Sequence, residues 1–202
     1  MKKKLSLEFY QRENVQTIAR ELLGKILVTK WEGLTTSGRI VEVEAYEGGI
    51  DRASHAYNGR RTARNEIMYA DGGVAYVYLC YGIHHLFNVV THMRETPHAV
   101  LVRALDPLEG VEHMLERTGK EKLDATLTRG PGNVSKALGI FTQHTGKSLL
   151  SRELYIADDG FAYNKKDIGA SPRIGVDYAG PHALWPYRFY VKGNRFVSGK
   201  PK

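Results

Sequence analysis

Residues 25–46 read Lys25-Ile-Leu-Val-Thr-Lys-Trp31, Glu-Gly-Leu-Thr-Thr-Ser-Gly38 and Arg39-Ile-Val-Glu-Val-Glu-Ala-Tyr46. The outer two segments are rich in β-branched and aromatic residues, which is typical of strands. We predict a hairpin whose turn lies at residues 35–38, and therefore an antiparallel pair. A helix over 15–23 precedes the hairpin, because apolar residues recur there at helical spacing between Asn14 and Gly24.

Strand patterns occur at five later places, namely 74–80, 86–91, 99–104, 154–157 and 187–192. Most of them are joined by segments too short for a crossover helix, which favours antiparallel pairing. Two more helices are expected, over 108–117 and 133–138. No repeat, low-complexity tract or linker divides the chain, so we expect one domain over residues 1–202. The prediction is an α+β domain with a curved, mostly antiparallel sheet flanked by helices.

The composition is that of an ordinary globular domain, with 202 residues, 42% hydrophobic, 25% charged and a formal charge of +7. These values exclude a disordered chain, a collagen and a disulfide scaffold. No run approaches the ~18 apolar residues of a membrane span, and a single cysteine, Cys80, cannot form an internal disulfide. We expect a cytoplasmic protein, without membrane association, whose charge favours a polyanionic partner. A basic surface that only confers solubility is the alternative.

The strand over 39–46 carries the first candidate for catalysis. A period of two places Glu42, Glu44 and Tyr46 on one face. The other face, which we expect to be the core face, holds Val41, Val43 and Ala45. A solvated outer face explains the two carboxylates as well as a cleft does. In a cleft, a glutamate beside a tyrosine at the end of a rigid strand is well placed to polarise water.

The loop over 48–65 is rich in arginine. Its four arginines have neither a lysine nor an acidic residue between them, and they are Arg52, Arg60, Arg61 and Arg64. Guanidinium groups bind phosphate through paired hydrogen bonds, so we interpret the loop as a phosphate-binding segment. A solvated charged loop is the alternative.

Tyrosines are concentrated in residues 69–81, which hold four of the twelve in the chain. Tyr76 and Tyr78 share a strand face, and Tyr81 lies at the strand end beside Gly82. Half-buried core tyrosines give the same pattern. Beside an arginine-rich loop, however, aromatic rings favour stacking on nucleobases, and a ring at a turn can enter a base stack as a wedge.

Four histidines between residues 84 and 98 raise the question of a metal site, but they lack the spacing of known metal motifs. We therefore expect no metal site. Phosphate-loop and nucleophile-elbow motifs are also absent from the sequence. Gly130-Pro-Gly-Asn133 before a predicted helix is weakly similar to a turn whose amides accept a phosphate, and a plain loop explains it as well.

Longer motifs extend along nearly the whole chain. They are Arg39-Ile-Val-Glu-Val-Glu-Ala-Tyr46, His55, Arg64-Asn65, Val77-Tyr-Leu-Cys-Tyr-Gly82, Phe87-Asn88, Leu101-Val-Arg-Ala-Leu-Asp-Pro-Leu-Glu-Gly110, Gly130-Pro131, Arg173-Ile-Gly-Val-Asp-Tyr-Ala-Gly180 and Pro186-Tyr-Arg-Phe-Tyr-Val-Lys-Gly193. Together they resemble the alkyladenine type of DNA-3-methyladenine glycosylase. That family consists of monofunctional base-excision repair enzymes that flip a damaged purine out of duplex DNA and hydrolyse its glycosidic bond. The resemblance implies a monomer that acts on double-stranded DNA with alkylated or deaminated purines and uses no cofactor.

The resemblance also implies roles for individual residues. Glu44 matches the base that activates the water attacking the sugar C1′, and Arg103 matches an arginine near that water. Four residues match the walls of the base pocket, namely Tyr46, His55, Tyr78 and Asn88. Asn88 matches the side chain that clashes with the 2-amino group of guanine. Tyr81 matches the side chain that fills the gap left by the flipped nucleotide.

Two other functions fit the same residues. One is a non-catalytic protein that binds damaged DNA or structured nucleic acid through the arginines and tyrosines. The other is a metal-dependent nuclease that uses the histidines. Release of a free base in the presence of EDTA, without strand breakage, distinguishes the glycosylase from both.

Overall fold

The computed structural model describes residues 2–199. Over this range the chain is an α+β domain, as predicted. The helices are α1 (Leu7–Tyr10), α2 (Val15–Leu22), α3 (Val111–Thr118) and α4 (Pro131–Leu138). The strands are β1 (Lys3–Lys4), β2 (Ile26–Trp31), β3 (Leu34–Tyr46), β4 (Ala75–Cys80), β5 (His84–Thr91), β6 (His98–Glu109), β7 (Leu154–Asp158), β8 (Ile168–Ser171) and β9 (Arg188–Val191). No helix in residues 2–199 combines the length and the apolar character that crossing a bilayer demands.

The strands form one sheet, and the pairs in the described chain are antiparallel. The order across the sheet is β1-β7-β2-β3-β6-β5-β4, and β9 pairs with both β3 and β8. Strand β3 is at the centre, because β6 lies along one of its edges while β2 and then β9 lie along the other. Residues 42–44 therefore have a partner strand on each side, which keeps this part of β3 away from solvent.

The predicted hairpin of β2 and β3 forms, but its turn is at Glu32 and Gly33. Both residues have positive φ angles, 52° and 82°, as a two-residue turn that matches the twist of the strands requires. Residues 35–38 continue β3 instead and pair with β2, for example Gly38 with Leu27. The predicted turn position is wrong because these β-branched and small residues extend the ladder.

The alternation of faces along β3 is interrupted by bulges. The register with β6 shifts between Ile40 and Glu42 and again between Glu42 and Val43. Val41 consequently packs with Ala104 and Tyr190, whereas Val43 belongs to the main core. The prediction that Val41 shares a face with Val43 is wrong, since an extra residue in a bulge offsets the two-residue period.

The helices cover the core side of the sheet. α2 begins as predicted, with the Asn14 side chain accepting a hydrogen bond from the Thr17 N–H at 2.8 Å, and it buries Ile18 and Leu22. α3 begins later than predicted, because β6 continues to Glu109 and Gly110 then turns the chain with a φ of 70°. The short strands β1 and β8 have too few residues for a recognisable sequence pattern.

Candidate active site

A cavity of about 570 Å³ opens beside the central strands. Its volume lies in the range of small-molecule sites, roughly 300–1,000 Å³. Most of the predicted site residues line it, namely Tyr46, His55, Arg64, Tyr78, Tyr81, Asn88 and Arg103. The wall also includes Gly130, residues 131–133 at the start of α4, and residues of the segment 174–178. The fold thus brings together residues that are far apart in the sequence.

Glu44 lies directly behind this wall, with a fully buried side chain. Its Oε2 accepts hydrogen bonds from the Tyr46 hydroxyl at 2.8 Å and from Arg103 Nη1 at 3.2 Å. Its Oε1 accepts one from the Ile174 N–H at 2.8 Å, and these three donor residues all line the cavity. Within residues 2–199 Oε1 receives only this hydrogen bond, which leaves it an acceptor position for a water. Glu44 is therefore fixed in place by three hydrogen bonds from residues of the cavity wall.

Glu42 has a different environment, although it is only two residues away. Its Oε1 accepts from Arg188 Nε at 2.7 Å, Arg103 Nε at 3.2 Å and the Ser198 hydroxyl at 2.8 Å. Its Oε2 accepts from the Ser198 N–H at 2.6 Å. Both carboxylates are 0% exposed, so the solvated outer face that the sequence also allowed is wrong. Glu42 thus accepts four hydrogen bonds, whereas Glu44 accepts three.

Arg103 joins the two carboxylates, since its Nε faces Glu42 and its Nη1 faces Glu44. Burial lowers the pKa of Arg103, but the charges of Glu44 and Glu42 outweigh burial, so its pKa is raised and it stays cationic. With Arg188, the cluster holds two positive and two negative side chains, as buried charges require. A balanced, hydrogen-bonded cluster thus surrounds the carboxylate that is next to the cavity.

Aromatic rings form one wall of the cavity. The ring centres of His55 and Tyr78 are 4.7 Å apart in an edge-to-face arrangement, and His55 Nδ1 lies 2.8 Å from the Tyr76 hydroxyl. Burial, together with the charges of Arg64 and Arg60, lowers the pKa of His55 to about 4. The imidazole is therefore neutral near pH 7, and it does not repel a cation in the cavity.

Asn88 and Tyr81 differ sharply in exposure. Asn88 is 4% exposed, and its Nδ2 donates to the carbonyl oxygens of Tyr76 at 3.2 Å and Leu86 at 3.1 Å, so its position is fixed. Tyr81 is 89% exposed and has a φ of 50°, an unusual value for a residue with a side chain. It stands in the turn between β4 and β5, where its ring extends into solvent.

The predicted phosphate-binding arginines lie in three different environments. The Arg64 guanidinium is 5.1 Å from the centre of the Tyr78 ring, at the cavity. Arg61 forms ion pairs with Glu66 at 2.6 Å and with Glu95 at 2.7 Å, away from the cavity. Arg60 is exposed outside the cavity wall. Phosphate binding by these three residues stays a prediction.

The histidines and the glycine-rich turn are spread over several places. His84 lines the cavity, whereas the rings of His92 and His98 pack on each other with centres 5.2 Å apart. Nowhere in the described part of the chain do three His, Cys, Asp or Glu side chains gather in a way that could hold a metal ion. Helix α4 begins at Pro131, two residues earlier than predicted, so Gly130 and the first residues of the helix lie at the cavity wall.

The site is also supported from the side away from the cavity by residues that the sequence did not reveal, namely Arg173, Arg188 and Ser198. Arg173 forms a buried ion pair with Asp51, and its guanidinium lies 4.7 Å from the centre of the Tyr46 ring. Arg188 and Ser198 hold Glu42. The motifs over 173–180 and 186–193 each hold an arginine beside apolar residues, a pattern that indicates a buried arginine. Because a buried arginine needs an anionic partner, this pattern could have pointed to the ion pairs.

The chain matches one protein family and several relatives along most of its length. A profile of the family "Methylpurine-DNA glycosylase" matches residues 8–195. A protein of Clostridium perfringens (strain 13 / Type A) is 42% identical over 205 residues, covering 98% of this chain and 100% of the relative. A protein of Chlamydia felis is 47% identical over 184 residues, covering 91% and 93%, and one of Bacillus cereus (strain G9842) is 45% identical over 200 residues, covering 95% and 97%. All three carry 3-methyladenine DNA glycosylase as a provisional name.

Proposed function

The chain belongs to the methylpurine-DNA glycosylase family, and we propose that it excises alkylated or deaminated purines with a water activated by Glu44. Membership makes it a DNA glycosylase, a hydrolase of N-glycosyl bonds in DNA repair. Beyond family membership, we propose which lesions the protein removes, that it flips the damaged base out of the duplex, and which residues take part. The lesions are of the 3-methyladenine, 7-methylguanine, hypoxanthine and ethenoadenine class.

The observation that carries the proposal is the position of the Glu44 carboxylate. It is buried behind Tyr46, Arg103 and Ile174, which line a cavity large enough for a nucleobase. Its Oε1 accepts one hydrogen bond within the described chain, and we assign its second acceptor position to the attacking water. A carboxylate fixed there takes a proton from that water as the water attacks C1′, and its negative charge stabilises the positive charge that develops on the sugar.

The cavity walls suit a flat, positively charged base. Alkylation at N3 or N7 makes a purine cationic, and a cation over a tyrosine ring is favoured by ~0.5–2 kcal/mol. The Arg64 guanidinium lies 5.1 Å from the Tyr78 ring centre, and this cation–π contact supports the proposal that the ring can stack on a cationic base once Arg64 gives way. A cationic purine is already a good leaving group, so one carboxylate suffices where glycosidases use two. Asn88 then serves as the group that excludes the 2-amino group of guanine.

Binding to duplex DNA relies on charge and on Tyr81. The formal charge of +7 gives affinity for any duplex through counterion release. Flipping a nucleotide costs a few kcal/mol, least where damage has weakened the pair. The exposed ring of Tyr81 offsets part of this cost by entering the base stack. We propose that a monomer does this without a metal or an organic cofactor.

The test is a base-release assay on duplexes with single lesions in the presence of EDTA. The proposal predicts free 3-methyladenine or hypoxanthine and an abasic site without strand breakage. Binding of lesion duplexes without base release would indicate a non-catalytic damage-binding protein. Direct nicking, or loss of activity in EDTA, would indicate a metal-dependent nuclease.

A further inference from the structure

We propose that Glu42 and Ser198 form a positioning pair that holds Arg103, and through Arg103 the Glu44 carboxylate, in its working geometry. The inference rests on the proposed role of Glu44 and extends it to two residues outside the cavity wall. One of them, Ser198, lies near the end of the described chain and 154 residues after Glu44 in the numbering. Neither residue touches the space that a base would occupy.

Ser198 contacts every member of the buried charge cluster except Glu44. It is 7% exposed, and it donates to Glu42 through its N–H at 2.6 Å and its hydroxyl at 2.8 Å. Arg103 Nη2 donates to the Ser198 hydroxyl oxygen at 3.3 Å, and Arg188 donates to the Ser198 carbonyl oxygen. One residue thus ties the anion and both cations together.

These contacts determine where the Arg103 guanidinium can lie. Its three nitrogens each have a different acceptor, since Nε faces Glu42, Nη1 faces Glu44 and Nη2 faces Ser198. A planar group held at three points has a fixed plane. Without the two outer contacts, Arg103 is free to turn towards Glu44 and to occupy the acceptor position that the attacking water needs.

The charge balance leads to the same conclusion. Glu42 neutralises Arg188 at 2.7 Å and shares Arg103 with Glu44, each at 3.2 Å. If Glu42 lost its charge, two buried arginines would face Glu44 alone. A carboxylate that is paired with two guanidinium groups is a weaker base towards water, because those groups stabilise its charged form.

The segment that carries Ser198 also lies close to Ile174, another residue that donates to Glu44. Gly199 has a φ of 67°, and a side-chain carbon there would lie 3.1 Å from Cδ1 of Ile174. The Ile174 N–H donates to Glu44 Oε1. The buried side chains of Phe196 and Val197 anchor this segment to the domain. Two of the three residues that donate to Glu44, Arg103 and Ile174, therefore lie next to Ser198 and Gly199.

Ser198→Ala tests the proposal, and Ser171→Ala is its matched control. Ser171 is also buried, 6% exposed, and its hydroxyl accepts from Arg188 Nη1 at 3.1 Å. Both changes remove one hydroxyl from the same network, but only Ser198 contacts Glu42 and Arg103. Single-turnover base release and lesion-duplex Kd are measured for each variant, with melting temperature as a check on folding.

We expect Ser198→Ala to slow single-turnover release about tenfold, as loss of a hydrogen bond to a charged group implies, with Kd unchanged. Ser171→Ala should keep the wild-type rate, and Ser198→Thr, which restores the hydroxyl, should recover most of it. Equal losses in the two alanine variants, a loss confined to Kd, or an undiminished rate in Ser198→Ala would each overturn the proposal.

Glu42→Gln gives a second test that does not depend on the folding of Ser198→Ala. It keeps the shape of the side chain and removes its charge, and we expect a rate loss of about a hundredfold at unchanged Kd. A wild-type rate in this variant would overturn the proposal. If the wild-type protein itself releases no base from any lesion duplex, the proposed function fails, which separates that failure from the failure of the positioning pair.

Discussion

Replacing Asn88 by alanine should admit guanine to the cavity. Asn88 is 4% exposed and is held by two hydrogen bonds to backbone carbonyl oxygens, so it cannot swing aside for an additional group. Exclusion of one extra small group by a rigid wall is worth roughly 1–3 kcal/mol, or about 10–200-fold. Asn88→Ala should therefore raise guanine release relative to hypoxanthine release by about that factor. Both rates fall if the variant is less stable, but their ratio does not depend on stability.

The assay is single-turnover release from two duplexes that differ only in guanine or hypoxanthine at the target position. Asn133→Ala is the control, because Asn133 also lines the cavity, and its Nδ2 donates to a backbone carbonyl oxygen, that of Arg129, at 2.9 Å. That variant should leave the guanine-to-hypoxanthine ratio unchanged. An unchanged ratio in Asn88→Ala, or an equal rise in Asn133→Ala, would refute the assignment of Asn88 as the excluding group.

Three more predictions concern pH, the exposed tyrosine and salt. An unfolded histidine takes up a proton near pH 6.5, whereas the pKa of His55 in the folded protein is about 4. The free energy of unfolding should therefore fall by up to about 3 kcal/mol as the pH is lowered from 6.5 to 4. Urea titrations of His55→Gln should lack this part of the fall, and an unaltered fall would contradict the prediction. Tyr81→Ser should slow release from paired lesions more than from mismatched ones, since mismatches need less help to flip, and equal losses on both would count against a wedge. Duplex affinity should drop steeply with added salt while the preference between lesions stays constant, and a preference that changed with salt would argue against charge as the general binding force.

The sequence was sufficient for those parts of the fold that depend on local patterns. Alternation over 39–46 and helical spacing over 15–23 predict β3 and α2, because each pattern involves neighbours within one element. The turn at Glu32 and Gly33 could not be located from the sequence, because the Ser-Gly pair at residues 37–38 carries an equally strong turn signal. The bulge at Val41 arises from the pairing of β3 with β6, which local patterns do not contain.

The same distinction applies to the site. Strand patterns place Tyr46 and Tyr78, and the family resemblance of the surrounding motifs predicts their roles. The burial of Glu42 and its contacts with Ser198 could not be predicted, since 156 residues separate the partners. Arg61 shows the converse case, because a cation that the sequence leaves unpaired forms ion pairs with Glu66, five residues away, and with Glu95, 34 residues away. Long-range pairing of charges is what the local sequence conceals.

The position and role of Glu44 are tested most directly by Glu44→Gln, which keeps the size of the side chain and removes its basicity. Single-turnover release of hypoxanthine or 3-methyladenine and binding of the same lesion duplex are measured side by side. We predict that the variant binds nearly as tightly as the wild-type protein and releases base more slowly by orders of magnitude. Release at the wild-type rate would show that another group activates the water.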